Sequence, residues 1–290
     1  MDWSKAKNIL IIGFTITNIL LFSLWVREKE RQVDPDMSPQ YVEAVQEQLK
    51  DNHIRFIGEM DTDRKAVAPV MVRFVELNGP AIAYTLFGSE YDVTTDPYFE
   101  KYETEQETLT FNFGKEFFYT SRAVEEVYPD LDESQAEEIA LNFLSFMGIQ
   151  ESNVRLSYIE EVEYREPYTG YRLKPSSYQV QFLSTDGENM IGGSFFDLSI
   201  TRAGVVFAHG LALEVVRASG ETLLMPRMPD AMLILMGLQE DQYKRIVSAE
   251  IAYNFDPYKN DYFFGDVIEG EALPAWRFQF SDGSVRYLDL

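Results

Sequence analysis

From Ile9 to Val26 the chain runs eighteen residues without a charge, between Lys5 and Lys7 on one side and Arg27-Glu-Lys-Glu-Arg31 on the other. As a helix rising about 1.5 Å per residue, that run covers roughly 27 Å, close to the hydrocarbon thickness of a bilayer. The sequence therefore predicts one transmembrane span, followed by a region of ordinary water-soluble character. A cleaved signal peptide shares the charged start and the apolar run. Signal peptidase, however, needs small residues before the cut, and this run ends Leu24-Trp25-Val26-Arg27 with a core longer than a usual signal core. An uncleaved anchor is the better fit. Lys5 and Lys7 face Arg27, Lys29 and Arg31 across the span, so the positive-inside rule leaves its direction nearly undecided.

Charge narrows the partners. The first thirty-one residues carry five Lys and Arg against three Asp and Glu, so the net charge of −23 leaves −25 on residues 32–290. Such a surface repels nucleic acid and anionic headgroups, which argues against DNA binding and against lying flat on a membrane. Cysteine is absent, which excludes a disulfide framework, a Cys metal site and a Cys nucleophile.

The segment after the anchor is long enough for one large or two medium cores, and the chain holds 17 Tyr and 21 Phe to fill them. Val33–Pro39 reads as a spacer leading into a helix with Ser38 as N-cap and Pro39 in its first turn; Tyr41, Val42, Val45 and Leu49 form its apolar stripe through Lys50. Pro69–Leu77 and Ala81–Phe87 read as two strands joined by a turn at Asn78-Gly-Pro80, and residues 92–107 as a loop or sheet edge. Strand patterns return at Thr108–Phe113 and Glu116–Tyr119. Ser134-Gln-Ala-Glu137 has the form of a capping box, ahead of a helix whose face holds Ile139, Phe143, Phe146 and Met147 and which Gly148 stops. Strands are expected over Arg155–Tyr164, Tyr178–Leu183, Ser194–Ile200 and Val205–Val216, then a helix from Pro229 to Gly237, apolar all round.

Those two helices head an internal similarity. Met147-Gly-Ile-Gln-Glu151 matches Met236-Gly-Leu-Gln-Glu240, and at the same offset Glu161-Val-Glu-Tyr164 falls on Glu250-Ile-Ala-Tyr253. Gln181-Phe182 with Asp186-Gly187 resembles Gln279-Phe280 with Asp282-Gly283, and Phe196-Asp-Leu198 resembles Leu288-Asp-Leu290. Chance likeness among β-rich segments is the plain alternative, but one preserved order through four matches favours a helix-plus-meander unit used twice. The expected fold class is α+β: a transmembrane helix, then helix-plus-antiparallel-sheet units with a duplication in the C-terminal half. The expected divisions are 1–31 for the N-terminus and anchor, 32–128 for a first α+β unit and 129–290 for the duplicated region.

Catalytic chemistry is sparse. The two histidines are His53, in a polar turn, and His209, inside an apolar strand pattern; both read as satisfied or solvent-facing. A His-Glu-x-x-His helix, a Gly-x-Ser-x-Gly elbow and a phosphate-binding Gly-x-x-x-x-Gly-Lys loop are all missing, so an enzyme is a distant reading. Glu160, Glu161 and Glu163 fit a solvated strand edge, and Asp256–Asp261 lacks the ligand spacing of a calcium loop. No catalytic residue, cofactor or metal site is assigned. The aromatic loops at 164–177 and 254–273 are the expected contact regions for a partner.

Within the span, Gly13, Thr17, Leu20 and Leu24 share one helical face, while Thr15, Asn18 and Phe22 share the opposite one. Two faces could meet two helices. An amide near the middle of the bilayer favours a hydrogen bond to a neighbouring helix, worth about 0.6–2 kcal/mol. Gly13, Thr15, Thr17, Asn18 and Phe22 are therefore the candidate partner contacts. A weakly polar span that tolerates these residues is the plainer alternative.

Met1-Asp-Trp-Ser-Lys-Ala-Lys7 directly before Asn8-Ile-Leu-Ile-Ile12, with Asn18-Ile-Leu-Leu-Phe22 in the same span, resembles the start of the YycI (WalI) family, regulators of the YycF/YycG (WalR/WalK) two-component system of Gram-positive bacteria. One N-terminal span, then an acidic α+β region without catalytic motifs, also agrees with that family. The resemblance implies a cytoplasmic N-terminus, an extracytoplasmic region 32–290 and a complex with the sensor histidine kinase YycG (WalK) and a YycH-like anchored protein. It further implies control of cell-wall genes partly through contacts within the membrane. The competing function is a tethered module that binds a wall fragment, peptide or ion.

Overall fold

The computed structural model describes residues 38–162, 177–238, 244–256 and 268–289. The uncharged run 9–26, with Gly13, Thr15, Thr17, Asn18 and Phe22, lies outside them. Among the described residues no helix is long and apolar enough to cross a membrane.

The chain opens with α1 (Pro39–Asp51), capped by the Ser38 side chain accepting from the Tyr41 N–H and burying Val45 and Leu49. Three strands follow, β1 (Arg55–Phe56), β2 (Ala66–Val67) and β3 (Val70–Phe74), and then α2 (Gly79–Phe87). Next come β4 (Asp92–Thr95), β5 (Phe99–Glu103), β6 (Glu107–Asn112), β7 (Glu116–Ser121) and α3 (Glu133–Phe146). A second run of strands is β8 (Val154–Val162), β9 (Ser177–Ser184), β10 (Phe195–Thr201), β11 (Gly204–Leu211), β12 (Leu213–Ala218) and β13 (Leu223–Leu224). The chain closes with α4 (Met228–Gly237), β14 (Arg245–Asn254), β15 (Glu269–Phe280) and β16 (Val285–Asp289). The fold is α+β, with more sheet than helix.

Two sheets dominate. An eight-stranded antiparallel sheet has the order β4-β5-β6-β7-β11-β10-β9-β8. Its inner face, with Leu109, Phe111, Phe117, Phe182, Phe196 and Leu198, packs in one core with Ala83 of α2 and Ala136, Ala140 and Leu144 of α3. A six-stranded sheet has the order β1-β14-β15-β3-β12, with β16 also on β15. Trp276, Phe278 and Phe280 share a core with Val45 and Leu49 of α1 and with Met232 and Leu235 of α4. Burying aromatics of that size contributes about 1.5–3 kcal/mol each, which is what seats the two helices.

The two sheets are not successive along the chain. The six-stranded one takes β1 and β3 from before residue 75 and its other strands from after residue 212, so the eight-stranded sheet is an insertion within it. The eight-stranded sheet therefore runs across the expected 128/129 division, because β7 from one side of it pairs with β11 from the other. Val205–Val216, which reads as one apolar strand, is two strands in different sheets, broken at the buried Ala212.

Other expectations change for local reasons. Ala81–Phe87 belongs to α2 and is not a strand: the Asn78 side chain caps the Ala81 N–H, and Pro80 sits in the first turn, where its missing N–H costs nothing. α3 starts two residues earlier than the capping box implies, with the Asp132 side chain accepting from the Gln135 N–H. Phe146 faces outward, and Ala136, Ala140 and Leu144 complete the buried stripe. Residues 92–107 hold two strands, β4 being a sheet edge. The described end of the 254–273 loop, from Glu269 onward, is strand.

The similar segments occupy corresponding positions. Glu161 lies in the first strand after α3 and Glu250 in the first after α4; Gln181-Phe182 and Gln279-Phe280 lie in the second strands. Gly187 and Gly283 both adopt positive φ in the turns that follow. Phe196-Asp-Leu198 and Leu288-Asp289 lie in the third strands.

Candidate functional site

The most elaborate polar arrangement among the described residues joins the two sheets. It starts from an irregularity in β8, the edge strand of the eight-stranded sheet. The register with β9 shifts between Leu156 and Tyr158, so Ser157 is the extra residue of a β-bulge. A bulge leaves one residue unpaired and re-aims it. Here both polar groups of Ser157 turn to the other sheet. Its Oγ accepts from Arg277 Nη2 at 2.6 Å and its carbonyl accepts from Gln279 Nε2 at 2.7 Å.

Arg277 is fully buried in β15. Glu250, opposite it on β14, accepts from Nη1 at 3.1 Å, and Gln279 Oε1 accepts from the same nitrogen at 3.3 Å. Arg155 of β8 donates to the second Glu250 oxygen, so one carboxylate holds a cation from each sheet. A charge taken out of water is tolerated only with such pairing. Nε of Arg277 makes no hydrogen bond within the described residues. Tyr287 faces Arg277 from β16, and burial pushes its phenol above the usual tyrosine range, with Arg277 opposing the rise. Tyr158, next to the bulge, is pushed up to about 12, first by burial and then by its hydrogen bond to Glu160.

The joint continues onto the outer face of the eight-stranded sheet. Ser157 Oγ donates to Gln181 Oε1 at 3.1 Å, and Gln181 Nε2 donates to Asp197 Oδ1 at 2.7 Å. Asp197 pairs across the ladder with His209, which lies opposite Phe118. His209 Nε2 is 2.8 Å from Glu116 Oε1, and its ring stacks on Phe118 at 4.1 Å. The His209 hydrogen bond, seconded by Asn112, holds the Glu116 carboxyl below the usual carboxylate range against the effect of burial. A row of polar side chains thus runs from the middle of one sheet to the buried arginine of the other.

Backbone contacts close the joint beside this row. Gly192 N–H donates to the Tyr253 carbonyl at 2.7 Å and Tyr253 N–H donates to Met190 at 2.9 Å, which adds a short parallel bridge to β14. Gly193 has φ +89, and a Cβ there would lie 2.1 Å from the Phe255 carbonyl oxygen. Where the chain crosses from β11 to β12, Ser184 Oγ accepts from the Leu213 N–H at 3.1 Å and Ser194 Oγ accepts from the Ser184 N–H at 2.8 Å. A half-open cleft of about 580 Å3 adjoins the crossing, lined in part by Ile149, Asn153, Asp186, Ala212 and Glu214.

Chemically, this arrangement fixes relative position. Ser157, Gln279 and Glu250 are hydrogen-bonded to one another or to Arg277 as one set, so a slide between the sheets must break several charge-assisted hydrogen bonds together. Among the described residues there is no cluster of three or more side chains suited to hold a metal. His53 sits in a turn at φ 62, and Glu160 is bound to Tyr158. Glu163 and nearly all of the 164–177 loop lie outside the described residues, as does 257–267. Sequence reasoning passed over Arg277 and Ser157; Glu250 and Gln279 entered it as repeat markers, without a role.

No family model matches the chain, and no curated protein matches it. Among solved structures it is similar to an uncharacterized protein from Eubacterium rectale, at 10% identity and a TM-score of 0.50, over 82% of this chain and 87% of that one. At that identity the likeness is one of fold alone, over most of both chains.

Proposed function

We propose that the protein is a non-enzymatic, membrane-anchored regulator whose extracytoplasmic region, residues 32–290, modulates a cell-wall-sensing histidine kinase of the YycG (WalK) kind together with a YycH-like anchored partner. The observation that carries this is the uncharged run Ile9–Val26, with Asn18 near its centre and the residues before it that resemble the YycI family. An anchor confines both proteins to one plane and raises their effective concentration, so modest helix contacts suffice. Such a regulator must bind two states of its kinase unequally, since equal affinity for both shifts nothing.

The joint supports the same reading from the other end of the chain. The six-stranded sheet carries α1, the first described element after the anchor, and the eight-stranded sheet is fixed to it through Arg277 and Ser157. An input on either sheet would thus reach α1 through a fixed geometry. The corresponding positions of the two helix-plus-meander segments also fit an internal duplication, in which the second copy has become the part that receives α1.

The test is a photoreactive residue at position 18, crosslinked in living cells, with mass spectrometry of the captured species. Recovery of a histidine kinase or a second anchored regulator supports the proposal; recovery of lipid alone reduces the span to a tether. The cleft of about 580 Å3 beside the sheet crossing favours a second reading, a tethered module for a wall fragment, peptide or ion. Melting of the full chain with and without candidate wall fragments separates the two, because a ligand that binds only the native state raises Tm.

A further inference from the structure

We propose that β4 is a docking edge at which an extended, basic segment of another protein adds a strand to the eight-stranded sheet. The inference is independent of the anchor. It starts from how the sheet ends. β8, at one end, bends at its bulge and is fixed against the other sheet. β12, at an edge of the six-stranded sheet, has a register shift between Val215 and Arg217. Bulges of this kind are how sheets discourage further pairing. Among the described residues the four-residue β4 has neither device: its register with β5 is unbroken from Asp92↔Glu103 to Thr95↔Glu100, it contains no Pro or Lys, and all four residues are exposed.

The ladder fixes which backbone groups are on offer. The turn closes with Asp96 N–H donating to Phe99 at 2.9 Å. Because bonded and non-bonded pairs alternate in an antiparallel ladder, Asp92 and Thr94 bond to β5 while the N–H and C=O of Val93 and Thr95 face outward. Both ends of this edge open into clefts. One, of about 920 Å3, holds Phe87 and Tyr91 with Glu90, Glu103 and Glu105. The other, of about 370 Å3, holds Tyr98 and Phe113 with Asp96 and Glu100.

Charge selects the occupant. Lys101, the cation on β5, is already paired with Glu103 at 2.8 Å, and Arg122 also acts on that carboxylate. A second copy of this chain would set Glu90, Asp92 and Asp96 against another acidic edge, within a molecule of net charge −23. A strand that alternates cationic and apolar side chains meets the acids with one set and the aromatic lining of the clefts with the other. Main-chain bonds then supply affinity and the alternate side chains supply specificity.

The test uses the full-length chain in detergent and a labelled, end-capped heptapeptide alternating Lys and Val, followed by fluorescence anisotropy. The same peptide N-methylated at every backbone amide keeps its charge and loses its donors. Binding that weakens with salt and falls at least tenfold on N-methylation is expected. Thr95→Pro removes an outward N–H that β5 does not use and should cost the same factor; Glu105→Lys, which leaves the backbone intact, should also weaken binding if Thr95→Pro disturbs the hairpin. Equal binding of the methylated peptide, undiminished binding by both variants, or no binding of the unmodified peptide at low salt overturns the proposal. So does sedimentation showing a dimer that Thr95→Pro dissolves, since the edge would then belong to a second copy.

Discussion

Arg277 of β15 donates from Nη2 to the Oγ of Ser157, 2.6 Å away on β8, so the fully buried cation of one sheet is held by the bulged residue of the other. Ser157→Ala removes that acceptor while keeping the bulge. The expected loss is about 1.5–3 kcal/mol, the usual cost of an unmade hydrogen bond to a charged group. Urea unfolding measures it. Combined with Glu250→Gln the losses should fail to add, because both act on one guanidinium. Strictly additive losses would mean that the joint is not a unit.

Acid should act through Glu116. Its carboxyl is held below the ordinary range by the His209 hydrogen bond, so its stabilising contribution is present above the unfolded value, near 4.3, and is lost as pH falls through the depressed folded value. His209→Phe keeps an aromatic ring on Phe118 and removes that bond. At about pH 6 it should cost about 1 kcal/mol, and the gap to the parent should close as pH falls below the ordinary carboxylate range. A gap that stays constant on acidification would assign the loss to packing alone.

Two glycines separate strain from collision. Gly187 has φ +100 with nothing near a Cβ, whereas Gly193 has φ +89 with the Phe255 carbonyl 2.1 Å away. Gly187→Ala should cost about 1–2 kcal/mol from backbone conformation alone. Gly193→Ala adds a clash with the backbone one residue past β14 and should cost clearly more, read as a larger drop in Tm.

The start of α3 offers a direct comparison. Asp132 provides the cap and Ser134 does not. Asp132→Ala should lose about 1 kcal/mol, and Ser134→Ala should stay close to neutral. The reverse order in thermal melts would restore the capping-box assignment.

If the span meets a kinase as proposed, Asn18→Leu together with Gly13→Leu should weaken that association in a membrane pull-down while circular dichroism of residues 32–290 is unchanged. Undiminished association would take the span out of the mechanism.

What the sequence made legible was local. Ser38, Gly148 and Pro229 carry their own signals, and α1, α3 and α4 follow within a few residues of those marks. α2 was missed because Asn78-Gly-Pro80 suits a tight turn as well as a capped helix start, and only packing of Ile82 and Ala83 on the sheet decides between them. Val205–Val216 reads as one strand because residues on both sides of Ala212 are apolar, each buried by a different sheet. Pro274 lies inside β15, where proline usually argues against a strand. The joint stayed invisible for a different reason: Ser157 and Arg277 are 120 positions apart, and nothing near Ser157 in the chain announces a bulge.

The insertion of one sheet within the other sets an order of events during synthesis. Phe74 of β3 pairs with Leu213 of β12, 139 positions later. At ribosomal speeds of 5–20 residues per second, roughly 7–28 s separate the emergence of the two. For that interval Val70, Val72 and Phe74 have no β12 to pair with, while the strands between them can already close on one another. The nascent chain can therefore close its second-begun sheet first, and β3 waits without β12 while 139 residues, nearly half of the 290 in the chain, are made.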